Sequence, residues 1–160
     1  MGRISSRRNC YHKKAPQKKK KSHEKPKTIR RPKVEIERAE NTETVHHRRP
    51  LSLGGSTYRS NLSYISDEMH RAWTIFVGNM NPEQITNHFN LHMKPKGKTY
   101  VCEFINGNRC MKAGAPSTDN PIKIAYALKV LFKDCRNIRE KLSLVNYVLL
   151  DPSYHIYLRE

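Results

Sequence analysis

The spacing of apolar and polar side chains changes after the first seventy residues, where a polar stretch gives way to large apolar residues. Residues 72–78 contain tryptophan, isoleucine, phenylalanine and valine and end at a glycine, a composition that predicts a β-strand. Asn81 is placed to cap a helix, with Pro82 at its first position and Gln84 three residues after the cap. The pattern therefore predicts a strand that leads directly into a helix over residues 82–93.

The pattern downstream predicts the remaining elements of a small α+β domain. Alternation favours strands, apolar residues three and four positions apart favour a second helix, and Asn106-Gly107 is a typical hairpin turn. The predicted elements are strands over residues 98–105, 108–113, 141–150 and 154–158 and a helix over residues 121–139. Their order is β-α-β-β-α-β with one added strand, which predicts a ferredoxin-like sandwich of two helices on an antiparallel sheet.

The distribution of apolar residues also predicts how the chain is divided. Residues 1–49 hold too few apolar side chains to offset the entropy lost on folding, so a disordered basic tail is predicted there. Residues 50–70 contain Gly54-Gly55 and several hydroxyl side chains and are predicted to be a linker. Residues 71–160 are predicted to form one compact α+β domain.

The net charge of +17 comes from 31 Lys and Arg residues against 14 Asp and Glu residues. The first 49 residues hold 17 of the basic residues and only 5 of the acidic ones. Such an excess indicates a polyanionic partner, and dense basic runs are typical of nuclear-import signals or of arms that contact phosphates. The runs are Lys18, Lys19, Lys20 and Lys21, and Arg30, Arg31 and Lys33. They favour a nucleic-acid-binding protein of the nucleus, and a merely solvated tail is the alternative.

Other patterns indicate further hypotheses. Gly2 begins a short acylation pattern, which leaves attachment to a membrane surface as an alternative, although no apolar run approaches the length of a membrane helix. The four cysteines show no Cys-x-x-Cys spacing, which favours reduced thiols. His88 and His92 have a spacing that can share a metal, but no third ligand is evident, so we expect two surface histidines and no metal site. No catalytic motif stands out, and neither an enzyme nor a cofactor is expected.

A family resemblance starts at Ile75-Phe76-Val77-Gly78-Asn79-Met80, which is similar to the first-strand hexapeptide of the RNA recognition motif. Residues 82–89 resemble the first helix of that family, and residues 127–131 and 141–144 resemble its second helix and fourth strand. The second signature of the family has its nearest match at residues 96–104, with a lysine where an aromatic residue belongs. Either this signature is degraded and one strand is lost, or the segment is the second strand and the signature is absent.

The resemblance implies binding of single-stranded RNA on an antiparallel sheet, with Phe76 stacked on a base and with Tyr100 and Phe104 as further stacking residues. Single-stranded DNA is an alternative ligand. The lysines expected to bind phosphates, besides those of the tail, are Lys94, Lys96 and Lys98. For Phe76 and Tyr100 a place in the core is the alternative, because alternation does not show which face of a sheet is covered.

A second hypothesis belongs to another class of protein. A basic arm followed by a compact domain is also typical of viral-type structural or accessory proteins, in which the arm binds the genome and the domain self-assembles. Protein partners or self-association are then expected in addition to RNA. RNA-binding measurements and particle size distinguish the two hypotheses.

Overall fold

The computed structural model describes residues 42–93 and 95–160, which form four α-helices and two antiparallel sheets of two strands each. The strands are β1 (Glu43–His47), β2 (Leu62–Ser66), β3 (Thr99–Phe104) and β4 (Tyr154–Arg159). The helices are α1 (Asp67–Val77), α2 (Pro82–His92), α3 (Pro121–Leu131) and α4 (Ile138–Leu144), with 3-10 turns at Leu51–Leu53 and Arg59–Asn61 and a π-helical turn at Val145–Leu149. Strand β1 pairs with β2, and β3 pairs with β4. The α+β class predicted from the sequence is confirmed.

Several sequence predictions lie outside the described residues. They concern the basic runs at Lys18–Lys21 and Arg30–Lys33, the acylation pattern at Gly2 and the phosphate-binding role of Lys94. Within the ranges that the structure does describe, no helix is long and apolar enough to cross a membrane.

Helix α1 occupies the segment that was predicted to be the first strand, so the strand prediction for residues 72–78 is wrong. The Ser66 hydroxyl caps the helix by accepting the Met69 N–H at 3.2 Å, and two acidic residues in the first turn favour a helix start. The buried positions are spaced as on one face of a helix, and they are Ala72, Trp73, Phe76 and Val77. Burial of this face, partly against α3, outweighs the strand preference of aromatic and β-branched residues.

Helix α2 was predicted correctly because its start is encoded locally. The Asn81 side chain accepts the Gln84 N–H at 2.9 Å, and the Gln84 side chain accepts the Asn81 N–H at 3.0 Å, which completes a capping box. Strands β3 and β4 and helix α3 also lie where the pattern predicted them, although α3 ends at Leu131 rather than at residue 139.

The pairing of the strands differs from the predicted βαββαβ arrangement. Asn106-Gly107 does not join two paired strands, because β3 pairs with β4 and residues 108–113 form no strand. The segment predicted as a strand over residues 141–150 belongs instead to α4 and the π-helical turn. Two small sheets stand in place of the one predicted sheet, so the ferredoxin-like arrangement is not confirmed.

Residues 43–70 belong to the fold, whereas the sequence predicted a tail up to residue 49 and a linker over residues 50–70. Three side-chain hydrogen bonds join the end of β1 to backbone carbonyls after α4. They run from His46 Nε2 to Leu149 O (2.9 Å), from Arg48 Nε to Leu150 O (2.8 Å) and from Arg48 Nη2 to Asn146 O (2.6 Å). Carbonyls at a helix end lack helical partners, so these donors satisfy them and hold β1 in place. Both predicted boundaries are corrected accordingly.

Two asparagine side chains close the outer edges of the β3–β4 sheet. Asn90 of α2 donates to the Tyr100 carbonyl at 2.9 Å and accepts the Tyr100 N–H at 2.8 Å. Asn146 donates to the Ile156 carbonyl and accepts the Ile156 N–H, both at 2.8 Å. Each amide group therefore replaces a neighbouring strand at one position, and the sheet ends at two strands.

Candidate nucleic-acid interface

Two of the three predicted stacking residues lie in the core. Phe76 is 0% exposed and Tyr100 is 3% exposed. Phe89 of α2 lies between them, with its ring centroid 5.2 Å from that of Phe76 and 5.5 Å from that of Tyr100. Burial also raises the pKa of the Tyr100 hydroxyl above its ordinary value. A ring that is covered in this way offers no face to a nucleobase, so the stacking prediction is corrected for both residues.

Phe104, the third predicted stacking residue, is half-buried and already has a partner. The Arg109 guanidinium lies 4.7 Å from the centroid of its ring, within the range of a cation–π contact. The Tyr154 ring contacts it edge-on at 5.5 Å. A base that stacked on Phe104 would have to displace Arg109, and the stacking role of Phe104 stays a prediction.

The register of β3 and β4 defines which side chains face away from the core. Tyr100, Cys102 and Phe104 pair with Leu158, Ile156 and Tyr154, and all six belong to the apolar core or pack against it. The alternate pairs form what we call the outer face, and they are Thr99 with Arg159, Val101 with Tyr157, and Glu103 with His155. None of the six outer-face residues belongs to the core formed by the described chain. The outer face therefore carries a partly exposed tyrosine at its centre.

The charges of the outer face are separated along the strands. Arg159 lies at the end of the sheet where β3 begins, and the exposed residues Lys96 and Lys98 precede β3 at the same end. Lys98 Nζ lies 2.9 Å from Glu160 Oε1, and its hydrogen bond lowers the pKa of Glu160 below the ordinary value. Both side chains are exposed, so this ion pair is weak and a phosphate group can replace the carboxylate. The predicted phosphate-binding residues Lys96 and Lys98 thus lie at the end of the sheet where β3 begins, whereas Tyr157 lies at the centre of the outer face.

The histidine pair of α2 is less exposed than predicted. The His88 ring lies 4.3 Å from the His92 ring and 4.7 Å from the Phe76 ring, measured between centroids. Burial, with a further contribution from His92, lowers the pKa of His88 below its ordinary value. His88 Nε2 is buried and has no hydrogen-bond partner among the described residues. In the same part of the chain, no group of three His, Cys, Asp or Glu side chains is placed to hold a metal ion.

The residue that the sequence analysis missed is Tyr157. Alternation in the last strand separates Tyr154, Ile156 and Leu158 from His155 and Tyr157, and the first set is the more apolar. That signal places Tyr157 outward, beside Arg159 two residues later. This alternation identifies Tyr157 as the outer tyrosine only when the pairing of β4 with β3 is known. The Asn106-Gly107 turn predicted a different partner for β3.

The described residues thus define a small α+β domain in which an antiparallel sheet carries a partly exposed tyrosine at the centre of one face and lysine and arginine side chains at one end. No protein-family model matches the chain, and the searches of curated proteins and of solved structures found no match.

Proposed function

We propose that this protein binds single-stranded RNA, with the outer face of the β3–β4 sheet as the surface on which a base stacks. The observation that carries the proposal is the position of Tyr157 at the centre of the outer face, opposite Val101 and on the same face as Arg159. Base stacking on an aromatic side chain contributes about 1–3 kcal/mol per base and tolerates any sequence. Arg159 on the same face, with Lys96 and Lys98 in the segment before β3, supplies cations at one end of the sheet.

The basic residues before β1 supply the second part of the interaction. Residues 1–41 hold 15 of the 31 Lys and Arg residues and directly precede β1. Phosphate binding of this kind is independent of sequence, and each neutralised phosphate steepens the logarithmic salt dependence by about 0.7 for a single strand. The proposed role is thus a binder of little sequence preference in the nucleus, which agrees with the ligand and the mode of binding that the RNA recognition motif resemblance implies.

The experiment is a titration of a fluorescently labelled uridine-rich RNA with the full chain, followed by anisotropy at several salt concentrations. Tyr157→Ala should weaken binding by about 5- to 150-fold, the equivalent of 1–3 kcal/mol, by the same factor at every salt concentration. Tyr157→Phe keeps the ring and should bind as the wild type does. Tyr64→Ala is the matched control, because Tyr64 is 65% exposed on β2 and lies outside the outer face.

Charge variants separate the two parts of the proposal. Two variants test the charges: Lys96→Gln, and a variant in which all four of Lys18–Lys21 are replaced by glutamine. Each should make the slope of the logarithm of the binding constant against the logarithm of the salt concentration shallower, by roughly 0.7 for each phosphate that is no longer neutralised. If Tyr157→Ala binds as the wild type does and only the tail variant binds more weakly, the sheet mechanism is wrong and the protein is a basic-arm binder. Light scattering then tests the structural-protein hypothesis, which requires large particles. Titration of a single-stranded DNA of equivalent sequence decides between the two nucleic acids.

A further inference from the structure

A cavity of about 320 Å³ lies beside the end of β1, bounded by α1 and the start of α2, and it is separate from the outer face of the β3–β4 sheet. This volume is at the lower end of the range of small-molecule sites. Apolar side chains, including Trp73, Val77 and Ile85, form much of its wall. A ligand that fills it must therefore have a small, largely apolar body.

Three aromatic rings meet on one wall of this cavity. The His46 ring lies edge-on to the Trp73 ring, with centroids 6.4 Å apart, and edge-on to the His70 ring at 5.4 Å. His46 Nε2 donates to the Leu149 carbonyl, which can only accept, so this nitrogen carries the proton. The rings are fixed in a corner by this bond and by the burial of Trp73, which is 5% exposed. A ligand in the cavity therefore meets only the small exposed part of the Trp73 ring.

The charged part of the lining comprises Arg48, Arg49 and a single carboxylate, Asp151, so its net charge is positive. His46, His47, His70 and Thr74 complete the polar lining. Arg49 and Asp151 neutralise each other, because Arg49 Nε donates to Asp151 Oδ2, and the Ser153 N–H donates to Oδ1 at 3.0 Å, so Arg48 supplies the net positive charge. Arg48 uses Nε and Nη2 for backbone carbonyls, and a guanidinium has more donors than these. An anion in the cavity would meet the Arg48 guanidinium, which these two hydrogen bonds have already oriented.

We propose that the cavity binds a small organic anion whose flat apolar body contacts Trp73 and whose charged group lies at the His47–Arg49 side. A phosphate ester of an aromatic ring has this chemistry, and so does a free mononucleotide. The proposal does not depend on RNA binding by the outer face, since the two sites share no residue.

Fluorescence provides a direct readout, because Trp73 is the one tryptophan of the chain. The full-length protein is titrated with phenyl phosphate, with phenol and with inorganic phosphate. Phenyl phosphate should change the Trp73 emission saturably and bind at least about tenfold more tightly than either part alone. Parallel titrations with uridine monophosphate and with oligouridine show whether a nucleotide can be the ligand and whether only a free mononucleotide, rather than a nucleotide within a chain, binds.

Substitutions at the mouth locate the binding. Leu51 lines the cavity and is 54% exposed, so Leu51→Asp adds a negative charge there at small cost to folding. It should weaken phenyl phosphate binding roughly tenfold while phenol is little affected. Leu91→Asp is the matched control, because Leu91 is 60% exposed on α2 and does not line the cavity. Equally weakened binding in both variants contradicts binding at this cavity.

Two other results overturn the proposal. One is the absence of a saturable change with phenyl phosphate up to about 10 mM, where even a millimolar site would be filled. The other is equal affinity for phenol and phenyl phosphate, which removes the anion from the proposal. RNA binding by the outer face is measured with a different variant and a different probe, so either site can fail without the other.

Discussion

Replacing Asn146 by alanine tests how the β3–β4 sheet is held at its outer edge. The Asn146 side chain is the hydrogen-bond partner of both the N–H and the carbonyl of Ile156, at 2.8 Å each, and the residue is only 6% exposed. Alanine would leave both backbone groups buried and unpaired, since Ile156 is 0% exposed. At about 1–3 kcal/mol for each unsatisfied group, the expected decrease in unfolding free energy is roughly 2–6 kcal/mol.

Such a decrease is large for a domain whose total stability is about 5–15 kcal/mol. Urea denaturation followed by circular dichroism measures it as a lower midpoint with an unchanged slope. Asn90→Ala is the comparison, because Asn90 makes the same pair of hydrogen bonds to Tyr100, which is 3% exposed, but the Asn90 residue itself is half-buried, so that its removal gives water access to those two backbone groups. A decrease below about 1 kcal/mol for Asn146→Ala, or a larger decrease for Asn90→Ala, would refute the reasoning.

Three further predictions concern single residues. A Cβ on Gly114 would overlap the Asn79 carbonyl oxygen, so Gly114→Ala should lower the unfolding free energy by about 3 kcal/mol or more, as thermal melts measure. At Gly97 a Cβ meets open space, so Gly97→Ala should lower it by only about 1–2 kcal/mol, because of the φ of +67°. Burial raises the pKa of Cys102 to about 11, so iodoacetamide should modify this thiol much more slowly in the native protein than in urea. Peptide mass spectrometry measures the two rates, and equal rates would contradict the burial of Cys102. Burial lowers the pKa of His46 from 6.5, so the unfolded chain binds more protons than the folded protein does. The unfolding free energy should therefore fall as the pH drops from about 7 to 5. His46→Gln should flatten this pH dependence in urea titrations, and an unchanged pH dependence would contradict the assignment to His46.

The sequence predicted those elements whose signals are local. Helix α2 has its capping box within four residues, and β4 shows its alternation within five. The strand prediction for residues 72–78 was wrong because a short apolar run is compatible with a buried strand and with a buried helix. The spacing of Ala72, Trp73, Phe76 and Val77 is helical, and the deciding cap at Ser66 lay in a segment predicted to be a linker.

The candidate site was predicted in its charges but not in its aromatic residue. Lys96 and Lys98 are exposed as expected, since a polar turn after a helix is almost always at the surface. Tyr100 is directed inward and Tyr157 outward because β3 pairs with β4, a pairing between segments far apart in the chain. The Asn106-Gly107 turn favoured a nearer partner, and a local signal of this kind cannot show that a distant strand competes for the same edge.

The contacts of Arg48 and Arg49 limit which cations belong to the proposed RNA-binding tail. Composition assigned all cations before residue 50 to that tail, yet Arg48 satisfies carbonyls after α4 and Arg49 is paired with Asp151, whose side chain is 4% exposed. Removing the partner of a buried charge costs about 3–5 kcal/mol. Deletion of residues 1–49 therefore removes β1 and destabilises the domain. Deletion of residues 1–41 removes 15 cations and leaves those hydrogen bonds intact. Circular dichroism of the two truncations should show this difference, and only the shorter deletion separates the contribution of charge to RNA binding from an effect on folding.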